Sequence, residues 1–238
     1  MLIPFTKAHG TGNSFIIIYL SECPELELNE NMIQTFCKGQ ETDGLLLLSN
    51  HKEYDFKMDY YNNDGTWETM CANGARCAGF LLYEKKIMNK KGTFIAGDGE
   101  HKIKIKDSNN IATTIFPPQY TSDEIFLDEL SGFSINSGAK HFVVEVHIDA
   151  NLEWEKIGKK IRNSDYFSPY GTNVNFVKKI SNSILEVITY EKGVEAIMES
   201  CGSGSVAAAY HIQQKYNLSN NFIVHVRGGK LSITADSK

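Results

Sequence analysis

CANGARCAGF, residues 71–80, and CGSGSVAAAY, residues 201–210, decide how this chain reads. Each begins with a cysteine, passes through glycine and other small residues, and continues into a run that predicts a helix. The two copies start 130 residues apart. That spacing is too long for a solenoid repeat and points to a duplicated domain carrying two matched thiols.

The flanking sequence repeats in the same order. HGTGNSFIIIYL from His9 is a Gly-rich turn feeding a β-branched run, which predicts a buried strand. SGAKHFVVEV follows the same plan: Gly138 and Phe142 stand where the first copy has Gly12 and Phe15, the two phenylalanines 127 residues apart. A strand over Tyr54–Tyr61, with Phe56, Met58 and Tyr60 alternating, ends 10 residues before Cys71, and ILEVITY ends at Tyr190, 11 residues before Cys201. After Cys71 the predicted helix runs to about Met88, and two strands then flank GDGEH at Gly97–His101. After Cys201 it runs to about Tyr216, followed by FIVHVR, the Gly228–Gly229 turn and LSIT. A helix over about Glu30–Lys38, a strand over Gly44–Ser49 and the turn NNDG at Asn62–Gly65 complete the first half. Pro117 and Pro118 interrupt both helix and sheet pairing, so the expected domains are 1–118 and 119–238. If the halves pack about a local twofold, Cys71 and Cys201 approach across an interdomain cleft, a favoured place for ligands.

Composition narrows the function. The 238 residues carry a formal net charge of −5, so no basic field is available for nucleic acid or an anionic membrane. The longest apolar runs, FIII from Phe15 and LLLL from Leu45, fall far short of the roughly 20 residues that span a bilayer. The N-terminus has no signal-peptide core, and the expected location is the cytoplasm. Five cysteines, an odd count without CxxC spacing, fit neither a disulfide scaffold nor a structural zinc site. Cys23, Cys37 and Cys77 read as small buried hydrophobes.

Both remaining cysteines sit where a helix begins. The partial positive charge there favours an anion and can bring a thiol from about 8.5 to nearly 7. Open N–H groups in the two first turns suit a substrate carboxylate and stabilise charge that develops on it when the adjacent carbon loses its proton. One thiolate removing the α proton and a thiol on the opposite face returning one inverts Cα without metal or cofactor. Other motifs fit less well. Gly202, Gly204 and Ala207 match a dinucleotide fingerprint, but ten residues separate them from the preceding strand. A calcium loop centred on Gly65 puts Tyr60 and Cys71 in ligand positions. A cysteine hydrolase with His141 as base leaves the second thiol unexplained.

HGTGNSF at His9, NNDG at Asn62, MCANGARC at Met70, GAKHFV at Gly138, GTNVNFV at Gly171, TYEKGVE at Thr189 and SCGSGS at Ser200 together resemble the diaminopimelate epimerases, in order along nearly the whole chain. The resemblance implies an α/β (α+β) fold of two similar domains, each a mixed sheet wrapped around a central helix, with the active site between them. It implies Cys71 and Cys201 as the catalytic pair, with His141 and Glu191 beside them helping to set their protonation. Asn13, Asn62, Asn175 and Lys192 correspond to substrate-binding side chains, and Asn73, Gly74, Gly202 and Ser203 to the helix starts that hold the reacting carboxylate. The implied reaction interconverts LL- and meso-diaminopimelate on the route to lysine and peptidoglycan. Its partner is a small amino acid, with a homodimer left open. Lys192 replaces an Arg usual in the family, Ala139–Lys140 an Asn-Pro, and Ser14 an Asp. A racemase of another amino acid therefore stays open as an alternative, as does a same-fold isomerase or binding protein that does not use the thiols.

Overall fold

The structure is a computed structural model that describes residues 2–147 and 153–235. The chain divides into two compact units, Met1–Ile115 and Phe116–Lys238, and the division falls just before Pro117–Pro118.

In the first unit the elements are β1 (Thr6–Gly10), β2 (Asn13–Tyr19), α1 (Glu30–Gln40), β3 (Gly44–Ser49), β4 (Phe56–Asn62), β5 (Trp67–Glu68), α2 (Ala72–Glu84), β6 (Lys91–Ala96), β7 (Gly99–Asp107) and β8 (Asn110–Thr113). They form a mixed sheet in the order β1-β2-β3-β4-β6-β7-β8, with β5 paired to β4. β2 and β3 run parallel and read as continuous apolar stretches because both their faces are covered. Ile16, Ile18 and Leu45 pack with Ile33 and Cys37 of α1, while Phe15, Ile17, Leu46 and Leu48 pack with Ala75, Ala78 and Leu82 of α2. The sheet curls around α2, which meets β1, β2, β3, β4, β7 and β8. A helix enclosed on so many sides must be small-residue-rich, as ANGARCAG is.

Several boundaries differ from expectation. α2 stops at Glu84 rather than near Met88, because Lys86 turns left-handed (φ 59°) and the Ile87 and Met88 N–H groups both bond back to the Leu82 carbonyl. Met88 then folds into the core. β4 begins at Phe56 rather than Tyr54, and α1 runs two residues further than Lys38. The start of α1 is fixed by Asn29, whose side chain accepts from the Met32 N–H at 3.0 Å. Asn29→Ala removes this cap and is expected to cost about 1 kcal/mol in urea unfolding; an unchanged midpoint would mean the cap contributes nothing.

The second unit contains β9 (Gln119–Tyr120), β10 (Ile125–Leu127), β11 (Leu130–Asn136), β12 (Lys140–Glu145), α3 (Trp154–Arg162), β13 (Asn173–Lys179), β14 (Ile184–Glu191), β15 (Ala196–Ile197), α4 (Gly202–Tyr216), β16 (Asn221–Val226) and β17 (Gly229–Thr234). Its path is β10-β11-β12-β13-β14-β16-β17, and from β11 to β17 it repeats β1 to β7 of the first sheet pair by pair. β11–β12 is antiparallel like β1–β2, β12–β13 parallel like β2–β3, β13–β14 antiparallel like β3–β4, and β14–β16 parallel like β4–β6. The fold is therefore α+β and duplicated, each mixed sheet wrapping one central helix. The expected helix end at Tyr216 stands, while the turn expected at Gly228–Gly229 falls one residue earlier, at Arg227–Gly228, with Gly229 opening β17. α3, the counterpart of α1, has no expectation to match, although Trp154, Ile157 and Ile161 give it an apolar stripe that lies on Phe176 and Tyr190. Among the described residues no helix is long and apolar enough to cross a membrane.

Candidate active site

Cys71 is the N-cap of α2. Its backbone is extended (φ −132°, ψ 113°), and its sulfur takes the place of the usual capping oxygen, 3.4 Å from the Gly74 N–H. A sulfur held there faces the positive end of the helix. Asn13 reaches the same place from the β1–β2 turn, where Thr11 and Gly12 both have positive φ. Its Oδ1 lies 3.8 Å from the Cys71 sulfur and accepts from Asn73 Nδ2 at 3.2 Å. Its Nδ2 donates at 3.1 Å to Asp43 Oδ2, which also accepts from the Ser14 N–H and hydroxyl. Gly10 lets the hairpin lie against this helix start, because a Cβ on it would sit 2.9 Å from the Asn73 carbonyl.

Asn13, Cys71, Asn73 and Gly74 thus form one cluster. Asn62 stands at the end of β4, in register with Gly44 of β3, which pairs in turn with Phe15 of β2. Its side chain is engaged by the Tyr60 hydroxyl at 2.8 Å and the Thr66 hydroxyl at 3.2 Å.

Cys201 holds the N-cap position of α4 in the same extended conformation (φ −125°, ψ 114°), and the Ser203 hydroxyl lies 3.6 Å from its sulfur. Ser203 Oγ is 2.9 Å from His141 Nε2, and His141 Nδ1 is 2.9 Å from Asn175 Nδ2. Asn175 Oδ1 accepts from Thr189 Oγ1 at 2.9 Å. Because the Asn175 amide donates to Nδ1, the His141 proton sits on Nε2 and is donated to Ser203. The Ser203 hydroxyl proton is then free to turn toward sulfur. Burial pushes His141 down to about 3, so the ring is a neutral, fixed donor.

Lys192 and Glu191 lie at the end of β14, half-buried, with the Lys192 N–H bonded to Asn173 Oδ1 at 2.9 Å. Asn173 in turn holds the Lys140 carbonyl at 3.0 Å. The unit-two residues His141, Asn175, Cys201 and Ser203 form one chain of contacts, with Gly202 opening the helix.

Sequence reasoning missed Asp43, Arg76 and Thr189. Arg76 carried a readable signal, a charge within a helix otherwise made of small and apolar residues. Asp43 and Thr189 carried none, since each acts on a partner that only the fold brings near. Cys23, Cys37 and Cys77 are buried, whereas Cys71 and Cys201 are half-buried, and none of the five is in a disulfide. Burial pushes Cys77 up to about 11, which leaves it a neutral thiol.

His211 on α4 is likewise lowered, by burial first and Lys215 next, to about 4. Both histidines are neutral in the folded chain but take up a proton near 6.5 when unfolded. Acid therefore favours the unfolded state, and stability falls as pH drops from about 6.5 toward 4. The slope approaches roughly 1.4 kcal/mol per pH unit for each histidine. Urea midpoints measured at pH 7, 5.5 and 4.5 check this, and a flat profile would contradict it.

The family profile described as diaminopimelate epimerase matches residues 5–119 and 133–238. A diaminopimelate epimerase from Flavobacterium psychrophilum is 38% identical over 235 residues, covering 96% of this chain and 89% of that protein. One from Aquifex aeolicus is 34% identical over 223 residues, covering 86% and 79%. Among solved structures, a hydroxyproline epimerase from Agrobacterium vitis with bound trans-4-hydroxy-L-proline superposes with a TM-score of 0.74 at 13% identity, covering 98% of this chain and 84% of that one. A phenazine-biosynthesis PhzF-family protein from Bacillus anthracis gives 0.70 at 14% identity, covering 98% and 90%. These two structural likenesses concern the fold alone.

Proposed function

This chain belongs to the diaminopimelate epimerase family, and on that footing we propose that it is an isomerase converting LL-diaminopimelate to the meso form with two thiols and no cofactor. The observation that carries the reading is the matched pair of helix starts, each with a half-buried cysteine at its N-cap position and small residues in its first turn, where backbone N–H groups have no intrahelical partner. Each repeat, 1–118 and 119–238, contributes one thiol.

In the proposed mechanism the reacting carboxylate is held by N–H groups at Asn73–Gly74 and Gly202–Ser203. Charge accumulating on it as Cα ionises is met by two helix dipoles, without reorganisation. One cysteine, as thiolate, takes the α proton and becomes a thiol; the other, as thiol, gives its proton to the opposite face and becomes a thiolate. Proton count and charge are conserved, and Cα inverts. Glu191 and the neutral His141, acting through Ser203, help set which thiol is protonated. Asn13 and Asn62 orient the substrate's polar groups. Asn175, whose amide lies between His141 and Thr189, serves the substrate chiefly by fixing His141. Lys192 meets the distal carboxylate as a point charge, without the forked grip of an arginine. The setting is cytoplasmic biosynthesis, and a homodimer is compatible with it.

The Lys192 and Ala139–Lys140 replacements favour one second reading, the same chemistry on a different amino acid. Exchange of the α proton with D2O, followed by NMR across both diaminopimelate isomers and a set of mono-carboxylic amino acids, separates the two. Diaminopimelate is expected to exchange in chelator-treated enzyme without pyridoxal phosphate. Exchange confined to a mono-carboxylic amino acid would move the substrate, and exchange in none would overturn the reading.

A further inference from the structure

The β14–β15 hairpin turns through Lys192–Glu195, and both Gly193 (φ 91°) and Glu195 (φ 58°) in it are left-handed. A residue other than glycine is held there only by its surroundings. The Glu195 N–H donates to the Glu191 carbonyl at 2.8 Å. Its carboxylate folds back over the turn, where Oε1 accepts from the Gly193 N–H at 3.1 Å and from Arg162 Nε at 3.0 Å. Arg162 Nη2 lies 3.0 Å from the same oxygen, and Oε2 accepts from the hydroxyl of the buried Tyr190 at 3.3 Å. Arg162 ends α3, a helix so close to β14 that a Cβ on Gly158 would sit 2.6 Å from Tyr190 Cβ. Packing of that kind leaves little room to move. The guanidinium also lies beside Gly171 (φ 66°), where a Cβ would run into Nη1. One side chain thus braces both GTNVNF and YEKGVE, and Asn173 joins them again by accepting from the Lys192 N–H at 2.9 Å.

We propose that Arg162, acting through Glu195, is a positioning residue that fixes where Lys192 stands, and with it the grip on the far carboxylate of the substrate. The proposal rests on the reading in which Lys192 meets that carboxylate. An arginine fork aligns itself on a carboxylate, whereas a lysine is a point charge on a flexible four-carbon stem. Where a lysine charge can reach is therefore set by its Cα, and any freedom of the turn is lost on binding at a cost in affinity. The strand leading to Cys201 is tied down separately. Tyr190 pairs with Ile197 and Glu191 with Ala196, and the Met198 N–H donates to the Thr189 carbonyl at 2.9 Å. Loosening the turn thus reaches Lys192 before it reaches Cys201. The Arg162 and Glu195 side chains are 18% and 40% exposed, and pairs open to solvent add little to global stability. Placement of the turn is what this one contributes.

Steady-state kinetics with diaminopimelate, on Arg162→Gln, Arg162→Lys, Glu195→Gln, Lys192→Gln and the Arg162→Gln/Lys192→Gln double variant, test this. Arg162→Gln is expected to raise KM about fivefold to tenfold and to leave kcat within about twofold, the pattern of lost binding that is the same in ground and transition states. Glu195→Gln moves KM in the same direction and carries the test should Arg162→Gln fail to fold. Arg162→Lys keeps the charge without the fork and moves KM less. Lys192→Gln raises KM by itself, and adding Arg162→Gln to it changes KM by less than about twofold, because the group being placed is already gone. A folded Arg162→Gln enzyme with the parent KM, or one that loses kcat at unchanged KM, would overturn the proposal. So would a full further rise of KM in the Lys192→Gln background, which would have Arg162 acting elsewhere. A Lys192→Gln enzyme with the parent KM would overturn it together with the role of Lys192 at the far carboxylate, while the epimerase reading is decided separately by the α-proton exchange.

Discussion

Replacing Cys71 or Cys201 with Ala is expected to slow Cα inversion by about a thousandfold or more, with the fold intact. The size follows from what a positioned acid or base contributes, about 10²–10⁴ in rate. Here the same carbon needs one on each face. The structural cost is small by comparison. At the cap the Cys71 sulfur lies 3.4 Å from the Gly74 N–H, and Cys201 fills the N-cap position without a side-chain cap bond. Neither is fully buried, so loss of sulfur costs at most about 1 kcal/mol in capping. Because the thiols act as a unit, the double variant should be little slower than either single one. Progress curves by circular dichroism, with thermal unfolding alongside, test this. A single variant retaining a tenth of the parent rate would remove its cysteine from the chemistry.

The second large effect is expected at Gly204. A Cβ there would lie 2.1 Å from Asn175 Oδ1 and 3.3 Å from the Cys201 sulfur. Asn175 cannot yield: it is fully buried on β13 and pinned by His141 on one side and Thr189 on the other. Gly204→Ala must displace either α4 or that amide, and displacing the amide leaves buried polar groups unpaired. Overpacking and an unsatisfied buried group each cost about 1–3 kcal/mol, and the movement also misplaces Ser203 and Cys201. A loss of about 2–4 kcal/mol is expected in urea unfolding, together with a fall in turnover at saturating substrate. Gly39 in α1 is the control, since nothing lies within 4 Å of where its Cβ would be. Gly39→Ala should be neutral or gain up to about 1 kcal/mol. If the two substitutions behaved alike, close packing at the Cys201 helix start would not be what Gly204 provides.

Much of this molecule was legible in its sequence, for identifiable reasons. Paired Gly turns, β-branched runs and a cysteine before small residues are local signals, and each recurs at the same place in both halves. The duplicated sheet follows from that recurrence. α3 escaped although Trp154, Ile157 and Ile161 have helical spacing, because no matched motif drew attention to that stretch. The end of α2 was misjudged because a left-handed Lys86 gives no sequence cue comparable to glycine. At the candidate site, the cap cysteines and Asn73 were readable from the helix starts. What was not readable is which polar atoms satisfy one another. Asp43 reaches Asn13 across 30 residues, and Thr189 reaches Asn175 across 14. Such pairings are made by strand register and not by spacing along the chain. The interior use of the Asn175 amide belongs to the same class.

The most direct test of the central claim starts from one pure diaminopimelate isomer in D2O and follows deuterium at Cα in substrate and product separately, before one-tenth conversion. Two thiols on opposite faces predict product that is deuterated from the first turnovers, because the donating thiol has exchanged with solvent, while recovered starting isomer stays protiated. Starting isomer that gained deuterium as fast as product formed would mean that one base serves both faces, and would contradict the account.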